Sequence, residues 1–183
     1  MVHIGTGPVV LLAWALGIAR WVALPAAIAV TLAAALNHRF RLLTAVEDID
    51  RHSYGTIAYG ASIAILLALF WPDQPLAVAA GVLVMALGDG LAGLVGPQLR
   101  SPRWRVLGQG KSLAGTLAMA GGALVVLILL QLMAQSQGIA APTWPYLIGI
   151  ALLATALEQG SSFGIDNLSV PLIAGLLWQH WTP

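Results

Sequence analysis

The sequence predicts an all-α, polytopic integral membrane protein with six or seven transmembrane helices, and three observations carry that prediction. Of its 183 residues, 59% are hydrophobic and only 8% are charged, whereas a soluble domain carries about 25% charged residues. So few ionic side chains cannot clothe a water-facing surface, and lipid must cover most of the exterior. The apolar residues also fall into runs separated by short polar segments, and Lys and Arg concentrate in two of those segments.

The runs place spans near 7–19, 22–37, 55–71, 75–96, 112–134, 143–159 and 167–182, in a single transmembrane domain covering 1–183. A crossing helix needs about 20 residues, with a range of roughly 17–25, and the third to fifth runs satisfy this. The first two are short and divided by Arg20, so they form either one long tilted helix or a re-entrant pair. The last two are marginal in length. No basic residue precedes the first run and no small-residue cleavage site follows it, so it is read as mature chain rather than as a secretory signal.

Orientation follows from the connections. Segment 38–54 holds Arg39, Arg41 and Arg51, and segment 97–111 holds Arg100, Arg103, Arg105 and Lys111. Segments 72–75 and 135–143 hold no basic residue. The positive-inside bias then puts the basic segments in the cytoplasm, with the N-terminus inside and the C-terminus outside in a seven-span arrangement. Trp21, Trp71, Trp144, Trp178 and Trp181 fall at the predicted outer ends, where an aromatic belt is expected. Of the seven acidic residues, Glu47, Asp48, Asp50, Asp89, Glu158 and Asp166 join the basic segments, and only Asp73 lies outside. A net charge of +1 argues against a nucleic-acid partner. The absence of cysteine excludes disulfides, thiolate catalysis and Cys-ligated metal centres. No internal repeat supports an inverted-repeat transporter.

Four polar stretches carry the candidate chemistry. In Gly88-Asp89-Gly90-Leu91-Ala92-Gly93-Leu94-Val95-Gly96 a carboxylate sits near the end of a hydrophobic helix among glycines. A charge at that depth is costly and marks function by default, although the glycines alone are explained by helix packing. Gly108-Gln109-Gly110-Lys111-Ser112 resembles the tail of a P-loop, but the first glycine of that motif would fall on Arg105 and no strand is predicted before it. Lys111 still offers a point charge beside a helix N-terminus suited to phosphate, with Ser112 as an alternative N-cap. In the stretch from Glu158 to Pro171 an acid closes one span and Asp166-Asn167 opens the next. Asp166 is either a helix cap or a ligand, whereas Glu158 opposes the dipole of the helix it ends. Finally, Asn37-His38-Arg39 and Arg51-His52-Ser53-Tyr54-Gly55-Thr56 read as a solvated loop or as contacts to a phosphate or head group.

Together these residues suit phosphoryl or nucleotidyl transfer, which is mostly positioning and charge neutralisation. Asp89, Glu158 and Asp166 supply oxygen ligands for Mg²⁺. Lys111, with Arg105 and neighbouring arginines, faces the phosphates, and Asp89, or less readily His52, takes the proton of an acceptor alcohol. The acceptor enters sideways from the lipid.

The order SYGT, GDGLAGLVG, GKSLAGT and E…GIDNLSVPL, from about Asn37 to Leu172, resembles the membrane polyprenol kinases, which include phytol, farnesol and dolichol kinases and a CTP-dependent diacylglycerol kinase. SYGT followed by AYG resembles the phytol kinase branch. The resemblance implies an all-helical enzyme that phosphorylates a hydrophobic isoprenoid alcohol from CTP, with Mg²⁺ or another divalent cation, in a bacterial plasma membrane or a thylakoid. Its polar motif positions fall on Arg51, Tyr54, Gly55, Asp89, Gly90, Gly96, Lys111, Ser112, Gly115, Glu158, Asp166 and Asn167. Catalysis is expected at Asp89 and Lys111, and nucleotide or phosphate binding at Arg51, Tyr54, Arg105, Gly110, Lys111, Ser112 and Asn167. The alternatives are a CTP-dependent diacylglycerol kinase, a phosphatidate cytidylyltransferase-like transfer of CMP, and a small membrane transporter.

Overall fold

The computed structural model describes residues 2–40 and 54–183, with side chains from residue 5 onward in the first helix. Arg41, Glu47, Asp48, Asp50, Arg51 and His52 lie outside the described residues. The protein is an all-α membrane protein whose described helices are α1 Val2–Ala15, α2 Arg20–Phe40, α3 Gly55–Phe70, α4 Pro75–Leu83, α5 Gly90–Gln98, α6 Leu113–Ser136, α7 Trp144–Gly160 and α8 Asp166–Trp181. A π-helical stretch, Val84–Asp89, joins α4 to α5 in one rod. Three rods, Arg20–Phe40, Pro75–Gln98 and Leu113–Ser136, are by themselves long and apolar enough to cross a bilayer.

The first two runs form separate helices. Gly17 adopts φ +63°, Gly17 N–H bonds Trp14 O at 2.9 Å and Ile18 N–H bonds Ala13 O at 2.9 Å. These are the two bonds of a Schellman cap, and only glycine enters that left-handed position without a Cβ penalty. The same pair of bonds ends α6 at Gly138. Proline in the first turn starts α4 and α7, where its missing N–H costs nothing.

The core is built around α4, every residue of which from Leu76 to Leu83 is buried. It packs on α8 through small residues: a Cβ on Gly81 would lie 2.4 Å from Pro171 O, and one on Gly175 would lie 2.8 Å from Ala77 O. Such contacts let backbones approach closely where lipid supplies no hydrophobic drive. α3, α6 and α1 surround α4, α7 closes the gap between α6 and α8, and α2 packs on α3 alone among the principal contacts.

Two expectations need correction. Trp71 and Trp178 are 1% and 2% exposed and belong to the core, so they are not belt anchors, whereas Trp21 and Trp144 are exposed. Position at a helix end misled because Trp71 Nε1–H finds Ile18 O at 2.8 Å, which lets the whole indole be buried. The segment read as loop before Lys111 folds as an antiparallel hairpin, β1 Arg103–Val106 with β2 Gln109–Ser112. Its two-residue turn, Leu107-Gly108, has φ +48° and +84°, the double left-handed geometry that matches the twist of a tight hairpin.

Candidate active site

Helix directions bring four distant segments to one end of the bundle. The π-helical stretch finishes on Asp89, α7 finishes near Glu158, α8 begins at Asp166, and β2 carries Lys111. One ligand oxygen from each of Asp89, Glu158 and Asp166 lies within 4.8 Å of the others. The turn between α7 and α8 is tight: Phe163 and Gly164 take φ +57° and +84° in succession, which reverses the chain within a few residues and sets Asp166 beside Glu158.

Glu158 is the most constrained member, at 6% exposure. Lys111 Nζ donates to its Oε1 at 2.5 Å and to its backbone carbonyl at 2.9 Å, while Gln159 Nε2 donates to its Oε2 at 2.6 Å. The lysine therefore neutralises the carboxylate and also meets the negative end of the α7 dipole. Asp166 occupies the first turn of α8, where its charge is favourable, and Asn167 Nδ2 lies 3.5 Å from its Oδ1. The Asp89 carboxylate accepts no hydrogen bond from the described residues. Gly88, beside it, lets α6 pass close by: a Cβ there would sit 2.5 Å from Met119 Sδ.

The donor set fits a hard divalent cation. All three acidic groups offer oxygen, as Mg²⁺ requires. Asn167 Oδ1 and Gln159 Oε1 are buried without a partner, and Asn167 as a whole is 8% exposed. Three acidic side chains beside the ammonium of Lys111 leave acidic groups in excess among the described residues at this end, an imbalance that a divalent ion matches.

The remaining residues fall elsewhere. Strand register pairs Trp104 with Lys111 and Arg105 with Gly110, and side chains alternate across a strand. Arg105 is thus exposed on the face of the hairpin opposite Lys111. Arg103 instead reaches Gly96 O and Pro97 O at 3.5 and 3.4 Å, fixing the hairpin to the end of α5. Ser112 is the N-cap of α6: its Oγ accepts from Gly115 N–H at 3.1 Å. Ser101 Oγ takes Ala114 N–H at 3.2 Å and Pro102 O takes Leu113 N–H at 3.0 Å. The first three N–H groups of α6 are therefore occupied, and the cation offered on this side is Lys111 rather than the helix terminus. Tyr54 precedes α3, is 60% exposed, and has its ring centroid 4.9 Å from that of His38. Arg51 lies outside the described residues. Sequence reasoning gave Gln159 no role. Its only signal was adjacency to Glu158, which says nothing about where an amide points.

No family model and no solved structure matches the chain. Among curated proteins it is 39% identical to a phytol kinase of Synechocystis sp. over 178 residues, covering 97% of this chain and 76% of that one. It is 29% identical over 128 residues to a probable chloroplastic phytol kinase of Glycine max, covering 67% of this chain and 40% of the relative. It is 27% identical over 122 residues to a dolichol kinase of Arabidopsis thaliana, covering 66% of this chain and 21% of the relative.

Proposed function

The chain belongs to the phytol and polyprenol kinase family, and from that premise we propose that it transfers the γ-phosphate of CTP to the hydroxyl of a membrane-embedded isoprenoid alcohol, phytol or a similar polyprenol, at the cytoplasmic face. It is a phosphotransferase with an alcohol acceptor. The observation that carries the assignment of the site is the meeting of Asp89, Glu158 and Asp166 within 4.8 Å, with Lys111 bonded to Glu158.

In this reading the alcohol oxygen attacks the γ-phosphorus, the bond to the β-bridging oxygen breaks, and CDP leaves. The hydroxyl proton passes to the Asp89 carboxylate, which is untied where Glu158 is held by Lys111 and Gln159. Lys111 neutralises charge on the transferring phosphoryl group, and Asn167 adds an unpaired buried oxygen to the ligand set. Mg²⁺ or another divalent ion held by Asp89, Glu158 and Asp166 would supply charge neutralisation on the phosphates. Tyr54, Gly110, Ser112 and Arg105 contribute to nucleotide binding around this cluster, and Arg51 is assigned the same role from its motif alone.

The test uses purified protein in lipid nanodiscs with γ-labelled CTP or ATP and with phytol, geranylgeraniol, dolichol or diacylglycerol. Label in the isoprenyl monophosphate with CDP release is expected. Release of pyrophosphate would assign CMP transfer instead, label in phosphatidate would assign a diacylglycerol kinase, and label following ATP alone would remove CTP as donor.

A further inference from the structure

The site does not itself explain how Asp89 is aimed. In a π-helix each N–H reaches back five residues rather than four, so the stretch carries in effect one extra residue, and such stretches recur at functional sites. One residue turns a helix by about 100°, so Asp89 faces a direction that an unbroken α-helix would deny it. The change of register weakens the bonds at its entry, and carbonyls there need donors from outside the rod.

One such donor is present. The hydroxyl of Tyr59, on α3, donates to Val82 O at 3.1 Å, two residues before the stretch begins, and accepts from Thr6 Oγ1, on α1, at 3.2 Å. Tyr59 is 3% exposed, so its hydroxyl is closed off from bulk solvent. Three rods therefore meet at a carbonyl in the turn that leads into the change of register. A phenylalanine would fill the same apolar space, so the hydroxyl serves the helix rather than the core.

We propose that Tyr59 is a positioning residue for phosphoryl transfer: its hydroxyl, oriented by Thr6, holds the Val84–Asp89 stretch in π-helical register and so aims the Asp89 carboxylate at Glu158 and Asp166. The proposal rests on reading those three carboxylates as the reactive end of the molecule. In Tyr59→Phe the stretch relaxes toward α-helical pairing and Asp89 turns away from its partners.

The experiment uses the full chain in nanodiscs and three readouts: Mn²⁺ binding by electron paramagnetic resonance without nucleotide, kcat with its Mg²⁺ dependence, and the thermal midpoint. Tyr59→Phe is expected to weaken Mn²⁺ binding and lower kcat by about ten-fold or more, the size of effect seen when a ligand's supporting contact is lost, with the thermal midpoint near that of the wild type. Thr6→Val should move both in the same direction by less, and Thr6→Ser should restore them. Tyr59→Phe with wild-type Mn²⁺ affinity and kcat overturns the proposal, as does a loss of activity matched by a loss of thermal stability with Mn²⁺ binding retained. Should Tyr59→Phe fail to fold, equal Mn²⁺ binding by Thr6→Val and Thr6→Ser overturns it. A wild-type protein that phosphorylates no alcohol refutes the functional reading and this proposal with it, whereas an active wild type equalled by Tyr59→Phe refutes only this one.

Discussion

The two ends of the bundle bury different things. At the end where α1 and α8 finish, a cavity of about 420 Å³ is lined by Trp14, Pro72, Asp73, Gln74, Ile139 and Gln179 among others. Its acid, Asp73, is exposed on the α3–α4 turn. Its buried polar groups mostly bond backbone: Gln131 Nε2 to Pro142 O at 2.7 Å and Trp71 Nε1 to Ile18 O. The Arg20 guanidinium meets Ala68 O at the closing turn of α3, a favourable place for a cation. At the other end the acids are buried or half-buried and converge. Both ends leave amide oxygens unpaired, Gln131 and Gln179 at one, Gln159 and Asn167 at the other. What separates them, among the described residues, is enclosed charge.

The sharpest way to break the comparison is Asp89→Asn, which keeps shape and removes the charge. It should cost about 10²-fold or more in kcat while Asp73→Asn does not, and initial rates on the two variants decide it. Next comes the ion pair. Lys111→Met leaves the buried Glu158 carboxylate uncompensated beside Asp89 and Asp166, with an expected loss of about 3–5 kcal/mol of stability, and Glu158→Gln is its partner in the cycle. The double variant should recover much of the thermal midpoint and none of the activity, a cycle that separates holding the fold from doing the chemistry. Gln159→Leu should raise the Mg²⁺ concentration for half-maximal rate by about ten-fold, read from a metal titration at saturating nucleotide. Smallest of all, Asp73→Asn should leave stability within about 0.5 kcal/mol of the wild type, checked by thermal melting in the same lipid.

The grouping of Asp89, Lys111, Glu158 and Asp166 was legible because ionisable residues inside apolar runs are rare, and run lengths dictate which helix ends coincide. The role of those groups is a separate matter for the experiments above. The π-helical register was not legible: VMALGD carries no compositional mark of pairing over five residues rather than four. Nor was the burial of Trp71 and Trp178, because belt and core indoles occupy the same helix ends and differ only in whether a neighbour offers a carbonyl. The hairpin is too short for alternation to stand out, and its left-handed Leu107 is not the residue that tight turns favour. Arg105 showed its sign but not its face, since a one-residue change of register would have turned it toward Lys111.

One more property follows from α2. It is joined to α3 along a single line, where Gly60 meets Thr31, and Trp21, Ile28, Val30, Leu32, Leu36 and Phe40 point outward. Acyl chains are therefore the other half of its packing. Changes in bilayer thickness or lateral pressure press on the protein through α2 and reach α3, while α4, enclosed on every side by its own chain, is shielded from them.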